Sequence, residues 1–281
     1  MLIRRQDLSV LLFYYLGYSI IRNLIFRFQR KPVARFVAFH DILPENSGNF
    51  KTNLKFLKQR TNVVNLDDFF SDRLSFEKIN TVITFDDGYK SWVTDAVPLL
   101  KELGLPAAFF ISSGFVGLSK GAEADFKKSK LFRKLPPRKI TGTLSYEDVK
   151  RIVDEGFIVG GHTLNHCNLS QLSNRDQIKH EIAEDKTRLE ELTGKKIEYF
   201  AYPGGDYYNP VVNLTKVLKK SGYRGAVTAV SGFNNISTEP YLLHRELTAD
   251  SMHPQVFRAR VFGNYDAVMF LKKLMRIILK H

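Results

Sequence analysis

The chain has 281 residues, 44% of them apolar, and carries 42 Lys and Arg against 29 Asp and Glu, a net charge of +13. That is enough chain for one sizeable core, and the single cysteine, Cys167, excludes an internal disulfide. A balance this basic directs attention to anionic membranes or nucleic acid, but no nucleic-acid recognition motif occurs along the chain.

At the N-terminal end, residues 8–21 carry no charge, with Arg4 and Arg5 before them and Arg22, Arg27, Arg30, Lys31 and Arg35 after. The run is shorter than the ~20 residues needed to span a bilayer, and no small-residue cleavage site follows it. Residues 1–31 therefore read as an apolar and basic helix lying on a membrane surface, tyrosines at the headgroup level. If the segment did span, its basic flank would keep the rest of the chain in the cytoplasm. Ordinary packing onto the rest of the fold is the alternative for this segment.

Apolar, strand-like segments follow near 33–39, 61–65, 81–85, 107–112, 157–160, 198–202, 225–230 and 241–247. Helix-like segments near 49–59, 91–103, 145–155, 174–193 and 210–221 lie between most of them. Ser145-x-x-Asp148 and Ser173-x-x-Asp176 read as N-terminal caps, and Gly104, Gly156, Gly194 and Gly222 as helix stops. The alternation predicts a parallel α/β barrel over residues 32–250. Residues 118–140, basic and rich in turn-formers, interrupt it as a long loop, either solvated or facing an anionic substrate. Residues 251–281 close the chain with a basic amphipathic pattern, Met269 to Lys280, suited to the same membrane surface.

Two clusters carry the chemistry. Asp86 and Asp87 end an apolar run in Thr84-Phe85-Asp86-Asp87-Gly88, and His162 and His166 stand four positions apart in Gly161-His162-Thr163-Leu164-Asn165-His166. Two imidazoles at that spacing and one carboxylate can bind one cation and leave a position open for water, the mark of a catalytic rather than a structural site. The second carboxylate is then free to act as a base. Alone, an Asp-Asp-Gly after a strand caps a helix or makes a turn; the two histidines change that reading.

These clusters closely resemble the first two motifs of the polysaccharide deacetylase family (NodB homology, carbohydrate esterase family 4). Thr84–Gly88 matches the first motif in full and His162–His166 the second. Ala107–Ile111 is similar to the family's next strand, and Phe200–Gly205 to its Pro/Gly-rich third motif. The likeness runs from about Val33 to Thr248. It implies a distorted (β/α)7 TIM-like barrel, here with helical extensions at both ends. It implies a divalent metal, zinc first and cobalt, nickel or manganese as alternatives, on Asp87, His162 and His166, with Asp86 as general base. The oxyanion would be held by the metal and a backbone N–H near Tyr202. Tyr202, Pro203 and Gly204 would bind substrate.

The remaining roles stay open in the sequence. Leu242-Leu243-His244 matches the family's Leu-x-His general-acid pattern, but His244 also reads as a strand-end histidine. On an alternative alignment Arg245 is the matching residue, able to tune Asp86 in place of an arginine that the third motif here lacks. His40 and Asp41 end the first predicted strand, so they either line the pocket or hold a loop. His180, among Lys179, Glu181, Glu184 and Asp185, reads as solvated on an exposed helix. The expectation is a metal-dependent deacetylase of an amino sugar in a polysaccharide or lipid-linked saccharide. It would sit at the cytoplasmic face of the inner membrane, or alternatively outside the cytoplasm. A deformylase of a lipid-linked amino sugar and a non-catalytic carbohydrate- or lipid-binding barrel are the rival readings.

Overall fold

The computed structural model describes residues 5–29, 31–131 and 139–278. Its strands are β1 (Ala34–Phe39), β2 (Asn62–Val63), β3 (Asn80–Asp87), β4 (Ala108–Ile111), β5 (Ile158–Gly161), β6 (Tyr199–Ala201), β7 (Gly225–Val227) and β8 (Glu246–Leu247). They form one parallel sheet in the order β7-β6-β5-β4-β3-β1-β8. Every residue of β1 and β3 is buried, as a strand covered on both faces requires. The sheet curls until its edges meet: Leu243 exchanges backbone bonds with Ala226 and Thr228 beside β7, while β8 pairs with β1. The result is a barrel of the expected kind. The segment predicted near 61–65 contributes only the short β2, which pairs with β3 outside the ring.

Alternation along the strands sorts the core into two layers. Phe36, Val82, Phe110, Ala201 and Val227 fill one cluster, while Phe39, Phe85, Phe109 and Phe200 join the cluster between sheet and helices. Phe85 stacks on Phe109 at 4.7 Å between ring centroids. The helices are α1 (Arg5–Tyr15), α2 (Tyr18–Phe28), α3 (Ser47–Arg60), α4 (Leu66–Phe70), α5 (Val97–Leu103), α6 (Lys120–Phe126), α7 (Tyr146–Asp154), α8 (Arg175–Thr193), α9 (Leu214–Lys220), α10 (Pro254–Val261) and α11 (Asn264–Ile278). Helix α4 packs Phe69 edge-on against Phe36.

Several expectations change for local reasons. The predicted N-terminal helix is two, because the chain breaks at Gly17 (φ 76°) and bends by 64° between α1 and α2. The helix expected over 91–103 begins as a wide turn at Trp92–Ala96, since Pro98 has no N–H for a regular bond to Thr94. The one expected over 210–221 starts only at Leu214. Asn209 bonds the amides of Val211 and Val212 into a turn, and Asn213 caps the helix. The loop of 118–140 contains α6 and a further helical turn to Leu131; residues 132–138 lie outside the described residues. Ser145 makes the expected capping box with Asp148, but the cap of α8 is Asn174 rather than Ser173.

The described helices nearest each end of the chain pack beside β1 and β8. Helix α1 lies against α10 and α11. Arg260 joins Glu246 of β8 at 2.8 Å to Asp7 of α1 at 3.2 Å, and Arg35 of β1 pairs with Asp266 of α11 at 2.5 Å. The C-terminal amphipathic stretch is helical as far as Ile278, and Lys280 lies outside the described residues.

Candidate active site and metal centre

The C-terminal ends of the strands surround a cavity of about 400 Å³, where a parallel barrel places its chemistry. Asp86 continues the Val82–Thr84 face of β3 into it. In an undistorted strand Asp87 would point the other way, but the backbone leaves strand geometry there, with φ of 93° at Asp87 and 125° at Gly88. Both carboxylates consequently line the same cavity. Thr163 (φ 61°) and His166 (φ 52°) also hold positive φ, a region that L side chains seldom adopt. Strain concentrated in the two motifs is what a site imposed by its surroundings leaves behind.

Asp87, His162 and His166 come together. Asp87 Oδ1 lies 3.3 Å from His162 Nε2 and 3.2 Å from His166 Nε2, and the three ligand atoms fall within 4.8 Å of one another. Asp87 Oδ2 accepts from the Tyr89 hydroxyl at 2.7 Å, whereas the buried Oδ1 has no hydrogen-bond partner. His162 Nδ1 lies 2.7 Å from the Ala201 carbonyl; a proton donated there leaves the Nε2 lone pair facing Asp87, the tautomer a metal ligand needs. An unpartnered carboxylate oxygen between two imidazole nitrogens fits a divalent cation, and two nitrogens plus one oxygen suit zinc. Cys167 is not in this cluster: its N–H donates to Thr163 Oγ1.

The neighbouring carboxylates are kept apart electrostatically by separate counter-charges. Arg245 forks onto Asp86, Nη1 to Oδ1 and Nη2 to Oδ2 both at 2.6 Å, with the pair almost wholly buried. Burial opposes ionisation of Asp86. The Arg245 guanidinium outweighs it, helped by His162 and His40, and holds the carboxyl below its ordinary range. Burial also opposes the charge on Asp87, and His166 and His162 overcome it, bringing that carboxyl well down. His166 is desolvated too, yet Asp87 raises its pKa. The site thus calls for positive charge at the position a cation would take.

Two residues that the sequence reading placed on an exposed helix hold this geometry. Asp185 is fully buried and accepts from Ser113 N and His162 N, each at 2.8 Å; burial pushes its pKa up to about 7 against those two bonds. Glu181 accepts from Asn165 N and Nδ2 at 2.9 and 2.8 Å, closing the histidine loop. Both sit on the inner face of α8 with Ile178 and Ile182, although they closely follow His180, which is exposed as expected. Their spacing at i and i+4 along that apolar face was the available signal. Lys139, from the basic loop 118–140, also lines the cavity, as does Asp250, which no motif marked.

The remaining predicted residues divide. His40 lines the cavity. Asp41 does too, but Ser91 and Thr141 occupy its carboxylate: Oδ1 accepts both hydroxyls at 2.6 Å and Oδ2 the Thr141 amide at 2.8 Å, so it pins the rim. Tyr202 and Gly204 line the cavity, whereas Pro203 is buried behind it. Of the backbone N–H groups near Tyr202, its own donates to Val227 O at 3.1 Å and that of Gly205 to Tyr202 O at 2.8 Å. His244 requires a correction. With Arg245 turned into the barrel, alternation turns His244 outward, where it packs on Gly232 and lines no part of the cavity. Gly205 lies at the cavity wall with φ 75°, and a Cβ there would collide with Ala229. Gly205→Ala is therefore expected to lower stability by ~1–3 kcal/mol, read as a depressed thermal midpoint; an unchanged midpoint would refute the close contact.

A family model described as polysaccharide deacetylase matches residues 75–226, more than half of the chain. The peptidoglycan-N-acetylmuramic acid deacetylase PdaA of Bacillus subtilis is 27% identical over 150 residues, covering 53% of this chain and 46% of that one. The matched region spans about half the length of such curated relatives. Among solved structures, the IcaB protein of Ammonifex degensii superposes with a TM-score of 0.65 at 25% identity, covering 82% of this chain and 97% of that one. The Streptococcus pyogenes deacetylase PplD, solved with acetate, gives 0.65 at 19% identity over 82% and 99%.

Proposed function

The chain belongs to the polysaccharide deacetylase family, and we propose that it hydrolyses the N-acetyl group of an amino sugar in a glycan or lipid-linked saccharide. One observation carries the reading: the partnerless Asp87 Oδ1 facing two imidazole nitrogens, beside a second carboxylate held by its own arginine. A divalent cation on Asp87, His162 and His166, zinc first by its donor set, would lower the pKa of water and polarise the acetamide carbonyl.

The protein's own groups supply the proton traffic. Asp86 takes a proton from the attacking water. The Arg245 fork keeps it ionised and aimed into the cavity, at some loss of basicity. The other cavity imidazole outside the ligand cluster is His40, which donates a proton to the departing amine as the C–N bond breaks. Acetate and the free amino sugar are the products. The intact ligand cluster and the buried Arg245–Asp86 pair speak against a merely binding role.

Incubating the zinc-loaded protein with acetylated glycans and lipid-linked amino sugars, and measuring released acetate, tests the reaction. Chelation is expected to abolish release and zinc to restore it. A protein that binds zinc yet frees neither acetate nor formate from any of them would end the hydrolytic reading. A second test separates the two histidines. His40→Gln is expected to lower kcat by ~100-fold or more with zinc content unchanged, while His244→Gln keeps the rate. The opposite ranking would return the acid role to His244.

A further inference from the structure

The described side chains on the outward faces of α1 and α2 are largely apolar, where surface helices ordinarily present polar groups. At the α1 end, Leu8, Leu12, Tyr15 and Leu16 are exposed, while Asp7, Val10 and Leu11 are turned in. On α2 the exposed side chains are Ile20, Ile21, Leu24, Ile25 and Phe28, the last 92% accessible. Among its described polar side chains, Ser19 is buried, and Arg22 donates to the Phe262 carbonyl and lies 4.4 Å over the Phe233 ring. Helix α11, packed against α1, adds exposed Met269, Phe270, Leu271 and Met275. Among the described side chains, these adjoining helices thus turn apolar groups outward, and an apolar patch of that extent marks an interaction surface.

Length and charge identify the occupant. Each of α1 and α2 has 11 residues, roughly 16 Å of helix against a hydrocarbon core of about 30 Å. Among the described residues no single helix is long and apolar enough to cross a membrane. The bent pair is tied to the barrel by Arg260–Asp7 and by Arg22, which suits lying flat rather than crossing. Beside α2, a cleft of about 180 Å³ is lined by Lys31, Arg60 and Lys78 against one acid, Glu77, and by Phe76, itself largely exposed. Cations bordering an apolar helical face match phospholipid, with acyl chains taking the apolar side chains and anionic headgroups the cations. We propose that α1, α2 and α11 form a docking face for a bilayer rich in anionic phospholipid, on which the barrel rests without crossing it.

Flotation of the full-length protein with vesicles tests this. Wild type is expected to float with phosphatidylethanolamine–phosphatidylglycerol vesicles, less in high salt, and less with phosphatidylcholine alone. The triple variant Leu12→Glu, Ile21→Glu, Leu24→Glu changes only exposed positions. It is expected to lose at least ~10-fold in partition while keeping its zinc content and circular dichroism. Wild type left in the aqueous fraction with both vesicle types, or bound equally to both regardless of salt, would overturn the proposal. So would a lipid-free dimer that the triple variant dissociates, because the face would then belong to a second copy.

Discussion

Asp87→Ala is expected to bind no stoichiometric zinc and to release no acetate. The side chain contributes the only carboxylate of the ligand cluster, and its Oδ1 is the atom both imidazoles approach. Without it two nitrogens face each other with no anion between them, too little to hold zinc where three protein ligands are usual. His162→Ala is expected to behave alike and to leave the Ala201 carbonyl without its imidazole contact. Metal analysis after gel filtration, beside the acetate assay, checks both variants. Full occupancy in either would remove that residue from the ligand set. Thermal unfolding with and without zinc adds a separate readout, since a cation that binds only the folded state raises the midpoint in wild type and not in the variants.

The second large effect concerns the pair behind the ligands. Arg245→Met is expected to destabilise the fold by ~3–5 kcal/mol, the range for leaving one member of a buried ion pair unpaired, here Asp86. Asp86→Asn removes the charge but keeps most of the shape. It is expected to retain zinc and lose at least ~100-fold in kcat, as removal of a general base does. The double variant Arg245→Met, Asp86→Asn is expected to recover part of the lost stability without recovering activity. If Arg245→Met unfolds at the wild-type denaturant midpoint, the fork carries no structural weight. If Asp86→Asn turns over normally, Asp86 is not the base.

Family, barrel and ligand cluster were legible along the chain. Asp86, Asp87, His162 and His166 stand in two short stretches whose residue types and internal spacing state their chemistry, and the strand and helix periods around them arise from the local chain. The structure changed what depends on direction. His244 and Arg245 are adjacent letters with opposite destinations. Which of them enters the barrel turns on the register of Pro240–Leu247 between β7 and β1, about 160 positions from Asp86. Likewise Glu181 and Asp185 read as part of the charged surface of α8, and only its docking against the sheet buries them under the histidine loop.

The sequence alone determined the candidate donor residues and the barrel that carries them, because motif chemistry and hydrophobic period are properties of neighbouring residues. The tertiary structure decided which arginine partners Asp86, which histidine besides the ligands reaches the cavity, and what faces outward. An apolar run such as 8–21 reads the same whether its side chains point into a core or away from it; only the placement of α1 and α2 on α10, α11 and the barrel distinguishes the two. Contacts between distant segments obey packing and strand register, which no local pattern encodes.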